Sequence, residues 1–192
     1  MAQQPHESVP LSEALRSQLP HASANVSARS GPESARGEAC GDFGIRILRD
    51  GTWLYHGSPI TRKPLVRLFS TVLRRERDGY WLVTPVERGR IDVDDAPFTA
   101  VEMTIEGAGA GQRISFRTNV DDTVTADAAH RLRVAVDRVT GEPSPYVEVR
   151  DGLEALIVRA VYYDLVERGE TRVIDGEDIY GVWSAGTFFP LG

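Results

Sequence analysis

This sequence has little cysteine and no long apolar segment, and each of these two features excludes a class of protein. Among its 192 residues Cys40 is the single cysteine, so the chain forms no intramolecular disulfide and offers no thiolate pair for a metal. No run of about 18 apolar residues is present, so we predict no membrane-spanning helix. The first residues lack the basic and apolar pattern of a secretory signal. We therefore expect a cytoplasmic protein with no membrane partner.

Charge argues against several further partners. The net charge is −6, which does not favour binding to nucleic acid, and Lys63 is the only lysine among 22 basic residues. The arginines of the central strand patterns lack interleaved aromatic residues that would stack on bases. The acidic clusters "DVDD" and "DD" lack the spacing of a calcium-binding loop. We predict no metal and no cofactor.

Composition divides the chain into three segments. Residues 1–40 are rich in Ala, Ser, Gln and Pro, so we predict a disordered tail, with one short helical pattern in "LSEALRSQLP". The remainder is predicted as two α+β halves, residues 41–110 and 111–192. Each half is expected to contain a mostly antiparallel sheet and one amphipathic helix.

The N-terminal half begins with the pattern of a β-hairpin. Asp50 and Gly51 form a two-residue turn signal between "GIRILR" and "TWLYH". A helix is then predicted from Pro64, because apolar residues recur at helical spacing. These apolar residues are Leu65, Leu68, Phe69, Val72 and Leu73.

The C-terminal half combines alternating strands with a second predicted helix. Ile114 and Phe116 alternate with polar residues and are expected to face inward. In "PYVEVRDGLEAL", Asp151 and Glu154 have the spacing of a capping box, so the helix is predicted to begin there and continue to Leu165. Both predicted helices follow a strand and a tight corner. This echo indicates duplication of one unit, although two unrelated helices on one sheet would give the same pattern.

The candidate binding site is the corner "GSPITRK" before the first helix. A helix start exposes unpaired N–H groups that attract anions, and Arg62 and Lys63 add two positive charges. Gly57 allows close backbone approach, and Ser58 supplies a hydroxyl. The same residues would also serve as an ordinary helix start without any ligand.

Further candidates extend this site, and each also has a structural interpretation. Arg150 precedes the predicted second helix and would face Arg62 across one cleft if the halves are pseudo-symmetric. Trp53 and Tyr55 would stack on a base or lie in the core. Two more candidates are Thr84 and Glu87. Thr84, before Pro85, suits an extended strand end, and Glu87 would accept from a ribose hydroxyl or from Arg62, or form a structural salt bridge.

No catalytic constellation is apparent, and we expect no enzyme. His56 and Ser58 are a conceivable base and nucleophile, but residues two apart near a strand end lack the strained turn that exposes a catalytic serine. The remaining histidines have no partner at metal-ligand spacing.

Several ordered motifs resemble an uncharacterised bacterial family of domains of unknown function. These are "DGTWLYHGSPITRKPLVRLFSTVLRRE", "LVTPVE", "DDAPFTAVE", "PYVEVRDGLEAL" and "VYYDLVE", which span roughly residues 41–192. The resemblance implies a duplicated α+β architecture whose C-terminal half is superficially similar to pleckstrin-homology folds. It also implies a groove between the halves for a nucleotide-like ligand and a role in signalling.

We therefore expect a non-enzymatic regulatory or signal-transduction module that binds an anionic, nucleotide-type ligand between its halves. The alternative is a protein–protein interaction module without a small-molecule ligand.

Overall fold

A computed structural model describes residues 39–192, which form fifteen short strands, two α-helices and one turn of 3-10 helix. The tail predicted for residues 1–40, with its short helix, lies outside the described residues apart from Ala39 and Cys40. These two residues begin the first strand.

The first sheet contains six strands in the spatial order β3-β2-β1-β6-β5-β4. They are β1 (Ala39–Ile47), β2 (Trp53–Tyr55), β3 (Ser58–Pro59), β4 (Leu73–Glu76), β5 (Gly79–Val83) and β6 (Glu87–Val93). Strands β1 and β6 are parallel, and all other neighbours are antiparallel. Helix α1 (Lys63–Val72) joins β3 to β4, which are the two edges of the sheet, so its chain passes from one edge to the other.

The second sheet also contains six strands, in the order β10-β11-β12-β7-β8-β9. They are β7 (Phe98–Glu106), β8 (Arg113–Thr118), β9 (Thr123–Thr125), β10 (Leu132–Val136), β11 (Pro143–Arg150) and β12 (Leu153–Ile157), with the 3-10 turn at Gly109–Gly111. Strands β7 and β12 are the parallel pair of this sheet.

Helix α2 (Arg159–Val166) leads from the second sheet to a three-stranded antiparallel sheet. Its strands are β13 (Glu170–Ile174), β14 (Glu177–Ser184) and β15 (Thr187–Pro190). The described chain is thus rich in sheet with two helices, in agreement with the predicted α+β class.

The division between sheets does not coincide with the predicted boundary at 110–111. Strand β7 pairs with β8 and β12, so it belongs to the second sheet although its residues fall in the predicted N-terminal half. The first sheet ends at Val93 and the second begins at Phe98. We call residues 39–96 the N-terminal part and residues 97–192 the C-terminal part.

The predicted start of the second helix was wrong. Asp151 and Gly152 have φ of +46° and +74° and form the turn between β11 and β12, and residues 153–157 are a strand. Leu153, Ala155 and Ile157 are buried at every second position. This segment satisfies both the helical and the strand periodicity, and pairing with β7 decides between them.

The first hairpin is confirmed, but its turn is longer than predicted. The Gly51 N–H donates to the Leu48 carbonyl at 2.9 Å, and the Leu48 N–H donates to the Thr52 carbonyl at 2.9 Å. Gly51 has φ +85°, so the loop is a turn followed by a left-handed residue, the arrangement usual for three-residue hairpin loops. Glycine adopts this conformation without a Cβ clash.

Both parts contribute to one apolar core. Fully buried members come from the N-terminal part, such as Phe69 and Leu82, and from the C-terminal part, such as Phe98, Phe116 and Leu153. The inward orientation predicted for Ile114 and Phe116 is confirmed, since both are 0% exposed. The shared core is the main reason that the parts keep one relative position.

Helix α1 is shorter than predicted and buries a narrower face. Leu65 and Phe69 are buried, whereas Leu68 is 52% exposed. Leu73 is buried as the first residue of β4 rather than as part of the helix. The chain leaves the helix after Val72 because antiparallel pairing of β4 with β5 takes over.

The two leucines of α1 give a matched test of this orientation. We expect Leu65→Ala to lower the free energy of unfolding by about 2–4 kcal/mol, because it leaves a cavity in the core. Leu68→Ala removes the same atoms from an exposed site and should cost about 0.5 kcal/mol or less. Urea unfolding followed by circular dichroism measures both, and equal losses would contradict the orientation of α1.

Candidate functional site

The corner before α1 is exposed and positively charged. Arg62 is the N-cap residue, with extended backbone and no side-chain cap, and Arg62 and Lys63 are both exposed. Within residues 39–192 neither forms an ion pair. Gly57, at φ +82°, shapes the turn between β2 and β3, and Ser58 is an exposed residue of β3. The corner therefore offers charge on an exposed surface, and its residues do not line the cavity described below.

The aromatic residues predicted to stack on a base belong to the core. Trp53 is 1% exposed, and its ring stacks at 6.3 Å on Phe69 of α1. Tyr55 is 9% exposed and contacts the ring of His56 edge-on at 4.3 Å. Because both side chains face inward from β2, neither presents a ring face to a ligand.

Thr84 and Glu87 complete a turn. The Thr84 hydroxyl donates to the Glu87 carbonyl at 3.0 Å, and the Glu87 N–H donates back to this hydroxyl at 3.1 Å. Glu87 is buried, at 6% exposure. These hydrogen bonds close the connection from β5 to β6 and account for both residues structurally.

Arg150 connects the two parts of the chain. Its Nη2 donates to the Ser70 carbonyl of α1 at 2.7 Å, and its Nη1 donates to Asp122 Oδ2 at 2.6 Å. The guanidinium also lies 5.2 Å from the ring centre of Phe98. Arg150 ends β11 and does not precede a helix, so its predicted position was wrong.

Arg62 and Arg150 do not share a cleft. Arg62 begins α1, whereas Arg150 binds Ser70 near the end of the helix. At 1.5 Å per residue these positions are about 12 Å apart along the helix axis. Arg150 is already bound to a carboxylate and a carbonyl, and so the predicted pair of arginines is not formed.

A different set of residues borders a cavity where the two parts meet. This junction cleft has a volume of about 180 Å³. Arg49 reaches it from the β1–β2 turn of the N-terminal part. The other lining residues come from β11, β12 and α2 and from the connections next to them. The lining consists of Arg49, Glu142, Pro143, Pro145, Leu156, Ile157, Val158, Arg159, Tyr162 and Tyr163.

A polar network holds Arg49 against the C-terminal part. Its Nη2 donates to the Ser144 hydroxyl at 2.8 Å, and its Nε lies 3.3 Å from Asp95 Oδ2, an ion pair without hydrogen-bond geometry. The Tyr146 hydroxyl donates to Asp95 Oδ1 at 2.8 Å. Burial raises the pKa of Tyr146, and the bond to Asp95 raises it further, so this phenol remains a donor at neutral pH.

The start of α2 also lines the cleft. Val158 is its N-cap residue, with no side-chain cap, and Arg159 is its first residue. Arg159 donates to Glu142 at 2.7 Å, but their side chains are 70% and 59% exposed. Such an exposed pair contributes little stability and can exchange its partner. The Tyr162 hydroxyl donates to the Leu191 carbonyl at 2.9 Å, which fixes this end of the helix.

The acidic clusters hold arginines. Asp94 pairs with Arg46 at 2.7 Å, and Asp121 lies 3.3 Å from Arg67 and 3.2 Å from Arg117. Within residues 39–192 no group of three His, Cys, Asp or Glu side chains is arranged to hold a metal. In this same part of the chain no helix is long and apolar enough to cross a membrane.

The candidate catalytic pair does not form in the structure. The His56 ring packs against Tyr55, and no hydrogen bond joins it to Ser58 within the described chain. His56 has φ +46° in the β2–β3 turn, where it and Gly57 reverse the chain direction.

Sequence reasoning missed the arginines of the junction cleft. Arg159 lay in the middle of the predicted second helix, where an arginine between apolar residues indicates only the solvent-exposed face of the helix. Correct placement of the helix start would have identified it, because arginine at a helix start is the same signal that drew attention to Arg62. Arg49 carried no local signal, since its role depends on Ser144 and Asp95, which are distant in sequence.

These features define a class of protein: a two-part, sheet-rich α+β chain with a shared core and a small cleft where the parts meet. The chain belongs to the DUF1285 family, which confirms the resemblance to a family of unknown function. The N-terminal domain model of the family matches residues 33–96, and the C-terminal domain model matches residues 97–191. The two matches meet where the first sheet gives way to the second.

Two solved structures support this assignment. The chain is 44% identical to a DUF1285 family protein from Silicibacter pomeroyi DSS-3, with 96% of each chain covered and a TM-score of 0.76. It is 27% identical to a DUF1285 family protein from Shewanella baltica OS155, with 64% of this chain and 90% of that chain covered and a TM-score of 0.50. No curated protein matches the chain.

Substitution of Arg150 tests its role as the connection between the parts. We expect Arg150→Ala to lower the free energy of unfolding by about 2–3 kcal/mol, because the Ser70 carbonyl, on a residue only 2% exposed, loses its charged donor. Arg62→Ala removes the same group from an exposed site and should change stability by about 0.5 kcal/mol or less.

Chemical denaturation of the two variants measures the difference. A loss for Arg150→Ala no larger than that for Arg62→Ala would show that the bridge between α1 and β11 does not stabilise the fold.

Proposed function

We propose that this chain is a cytoplasmic, non-enzymatic regulatory or signal-transduction module that binds an anionic, nucleotide-type ligand between its two parts, at the junction cleft. One observation carries the proposal: Arg49 from the N-terminal part and Arg159 from the C-terminal part border the same cavity. A ligand held by both would contact the two parts at once and would raise the stability of the folded chain.

The chemistry of the lining suits a phosphate or a carboxylate. Arg159 is the more accessible donor, and a guanidinium binds such groups through two parallel hydrogen bonds. The first N–H groups of α2 lie beside it and add a partial positive charge. Glu142 is the current partner of Arg159, and a ligand anion would replace it.

An aromatic surface for a base is also present at the rim. Tyr163 lines the cleft with 58% of its surface exposed, whereas Trp53 and Tyr55 are buried. A ring on the exposed side of α2 can stack on a base without entering the core. We therefore propose that Tyr163, and not Trp53 or Tyr55, stacks on the base.

The size of the cleft limits what enters it. Small-molecule sites usually have volumes of about 300–1,000 Å³, whereas this cleft has about 180 Å³. We therefore propose that it takes the anionic end of the ligand, while the rest lies along the outer surface of α2. The exposed corner at Arg62 and Lys63 remains a second location at which an anion would find unpaired positive charge.

We also propose that the two parts arose by duplication of one α+β unit. In both parts a helix is followed by three antiparallel strands, α1 by β4, β5 and β6, and α2 by β13, β14 and β15. This common order supports duplication of one unit. The likeness of the C-terminal part to pleckstrin-homology folds stays a prediction from the family resemblance.

One observation favours the alternative, a protein–protein interaction module. The hairpin of β13 and β14 exposes Val173 by 70%, Ile174 by 36% and Tyr180 by 38%. Apolar side chains grouped on one hairpin are typical of a surface that contacts protein.

A thermal-shift experiment with AMP, GMP, ATP, GTP and inorganic phosphate tests ligand binding, because a ligand of the folded state raises its apparent stability. We expect at least one nucleotide to raise the melting temperature. Titration calorimetry should then give about tenfold weaker binding for Arg159→Ala. Glu142→Gln should bind more tightly than the unaltered chain, because it removes the competing carboxylate.

Arg168→Ala is the matched control, since Arg168 is an exposed arginine near the other end of α2 with no ion pair among the described residues. It should bind as the unaltered chain does. No shift with any of the five compounds would contradict the proposal. Loss of binding in Arg62→Ala but not in Arg159→Ala would move the site to the start of α1.

A further inference from the structure

Strand β13 is an open edge of the third sheet. It pairs with β14 on one side, and no strand of residues 39–192 lies on its other side. All five of its residues are exposed. An edge strand presents a row of unpaired N–H and C=O groups to which another strand can bind.

The register of the hairpin identifies which groups face outward. Asp175 and Gly176, with φ of +53° and +88°, form the two-residue turn, so Ile174 and Glu177 are a hydrogen-bonded pair. Hydrogen-bonded pairs alternate along an antiparallel ladder, so Arg172 and Glu170 also bond to β14. The N–H and C=O groups of Thr171 and Val173 therefore point away from the sheet.

This edge lacks several features that usually prevent strands from joining. Its five pairs with β14 run without a bulge, and it contains no proline and no lysine. Val173 is 70% exposed, and Tyr180, the cross-strand neighbour of Thr171, is 38% exposed. Edge strands of monomeric proteins are commonly protected by a bulge, a proline or a lysine. The edge of β13 is thus suited to a partner strand.

The charges of β13 indicate which strand fits. Glu170 and Arg172 lie on the same face, both against Trp183: Glu170 accepts from its Nε1 at 2.9 Å, and the Arg172 guanidinium lies 4.8 Å from its ring centre. Arg172 has no ion pair within residues 39–192. The strand therefore carries one acidic and one basic residue, two positions apart and held in fixed places.

We propose that β13 pairs with β13 of a second copy of this chain, antiparallel, about a two-fold axis at Thr171. In this register Thr171 forms the hydrogen-bonded pair with its own counterpart. Glu170 of each copy then lies opposite Arg172 of the other, in non-hydrogen-bonded pairs whose side chains approach closely. The neighbouring register, centred on Arg172, is disfavoured because it places two arginines opposite each other. This interface shares no residue with the lining of the junction cleft and does not rest on the proposed function.

The mass in solution, measured by sedimentation over a series of dilutions, tests the pairing. We expect the unaltered chain to rise from 21.1 kDa toward twice that mass as concentration increases. Glu170→Arg alone and Arg172→Glu alone should each weaken association by about tenfold, because each places two pairs of like charges across the axis.

Two combinations restore the opposite charges and identify the register. The double variant Glu170→Arg, Arg172→Glu exchanges the charges within each copy, so it should associate about as tightly as the unaltered chain. A mixture of the two single variants should form a heterodimer, because one copy then carries two arginines and the other two glutamates. In a register centred on Arg172 neither single variant would weaken association, because residue 170 would lie opposite Ile174 and the two residues at position 172 would carry like charges in every case. Weakening by both single variants together with recovery in the double variant therefore identifies the register centred on Thr171.

Arg138→Glu is the matched control for Arg172→Glu. Arg138 is exposed in the turn between β10 and β11, and its substitution changes the net charge by the same amount. It should leave association unchanged. The proposal is overturned if the unaltered chain keeps a mass of 21.1 kDa at every concentration. It is also overturned if Glu170→Arg associates normally, or if the double variant fails to recover although it unfolds at the same temperature as the unaltered chain.

Discussion

The structure depends on the contact between helix α1 and the second sheet. An apolar core extends across this contact, with Phe69 on one side and Phe98 and Leu153 on the other. Arg150 adds a directional connection, because its two terminal nitrogens bind Ser70 of one part and Asp122 of the other. Apolar contacts alone would allow α1 to slide over the second sheet. The two charge-assisted hydrogen bonds of Arg150 are directional and so define the position of the helix. The location of Arg49 beside the C-terminal part follows from this arrangement.

The junction cleft combines a fixed wall with an exchangeable one. Arg49 is held by Ser144 and Asp95, and Asp95 is held in turn by Tyr146, so this side is already ordered. Arg159 has only the exposed carboxylate of Glu142 as partner. Under the proposed function, the ligand's anionic group would displace one surface salt bridge and leave the network between the parts in place. Binding to a largely preformed site costs less conformational entropy.

Sequence reasoning identified the family and the first hairpin and helix of the N-terminal part, but it did not predict which arginines border the junction cleft. The β1–β2 hairpin and the helix from Pro64 depend on residues that are close in sequence, such as Asp50, Gly51 and Leu65, so local patterns suffice. The strand at 153–157 was misassigned because its apolar residues fit two periodicities. Its pairing partner β7 is some fifty residues earlier, and no local pattern contains that information. The error moved the predicted helix start from Arg159 to the neighbourhood of Arg150, which ends a strand.

The sequence by itself determined which segments are apolar, where the chain can turn at Asp-Gly and similar pairs, and that one lysine and one cysteine limit the available chemistry. Only the tertiary structure decided which side chains are buried and which are exposed. Trp53 is in the core and Tyr163 is on the surface, although both are aromatic residues near polar neighbours. The reason is that burial and electrostatic partners are set by contacts between residues far apart in the chain, whereas periodicity and turn preference act over a few residues.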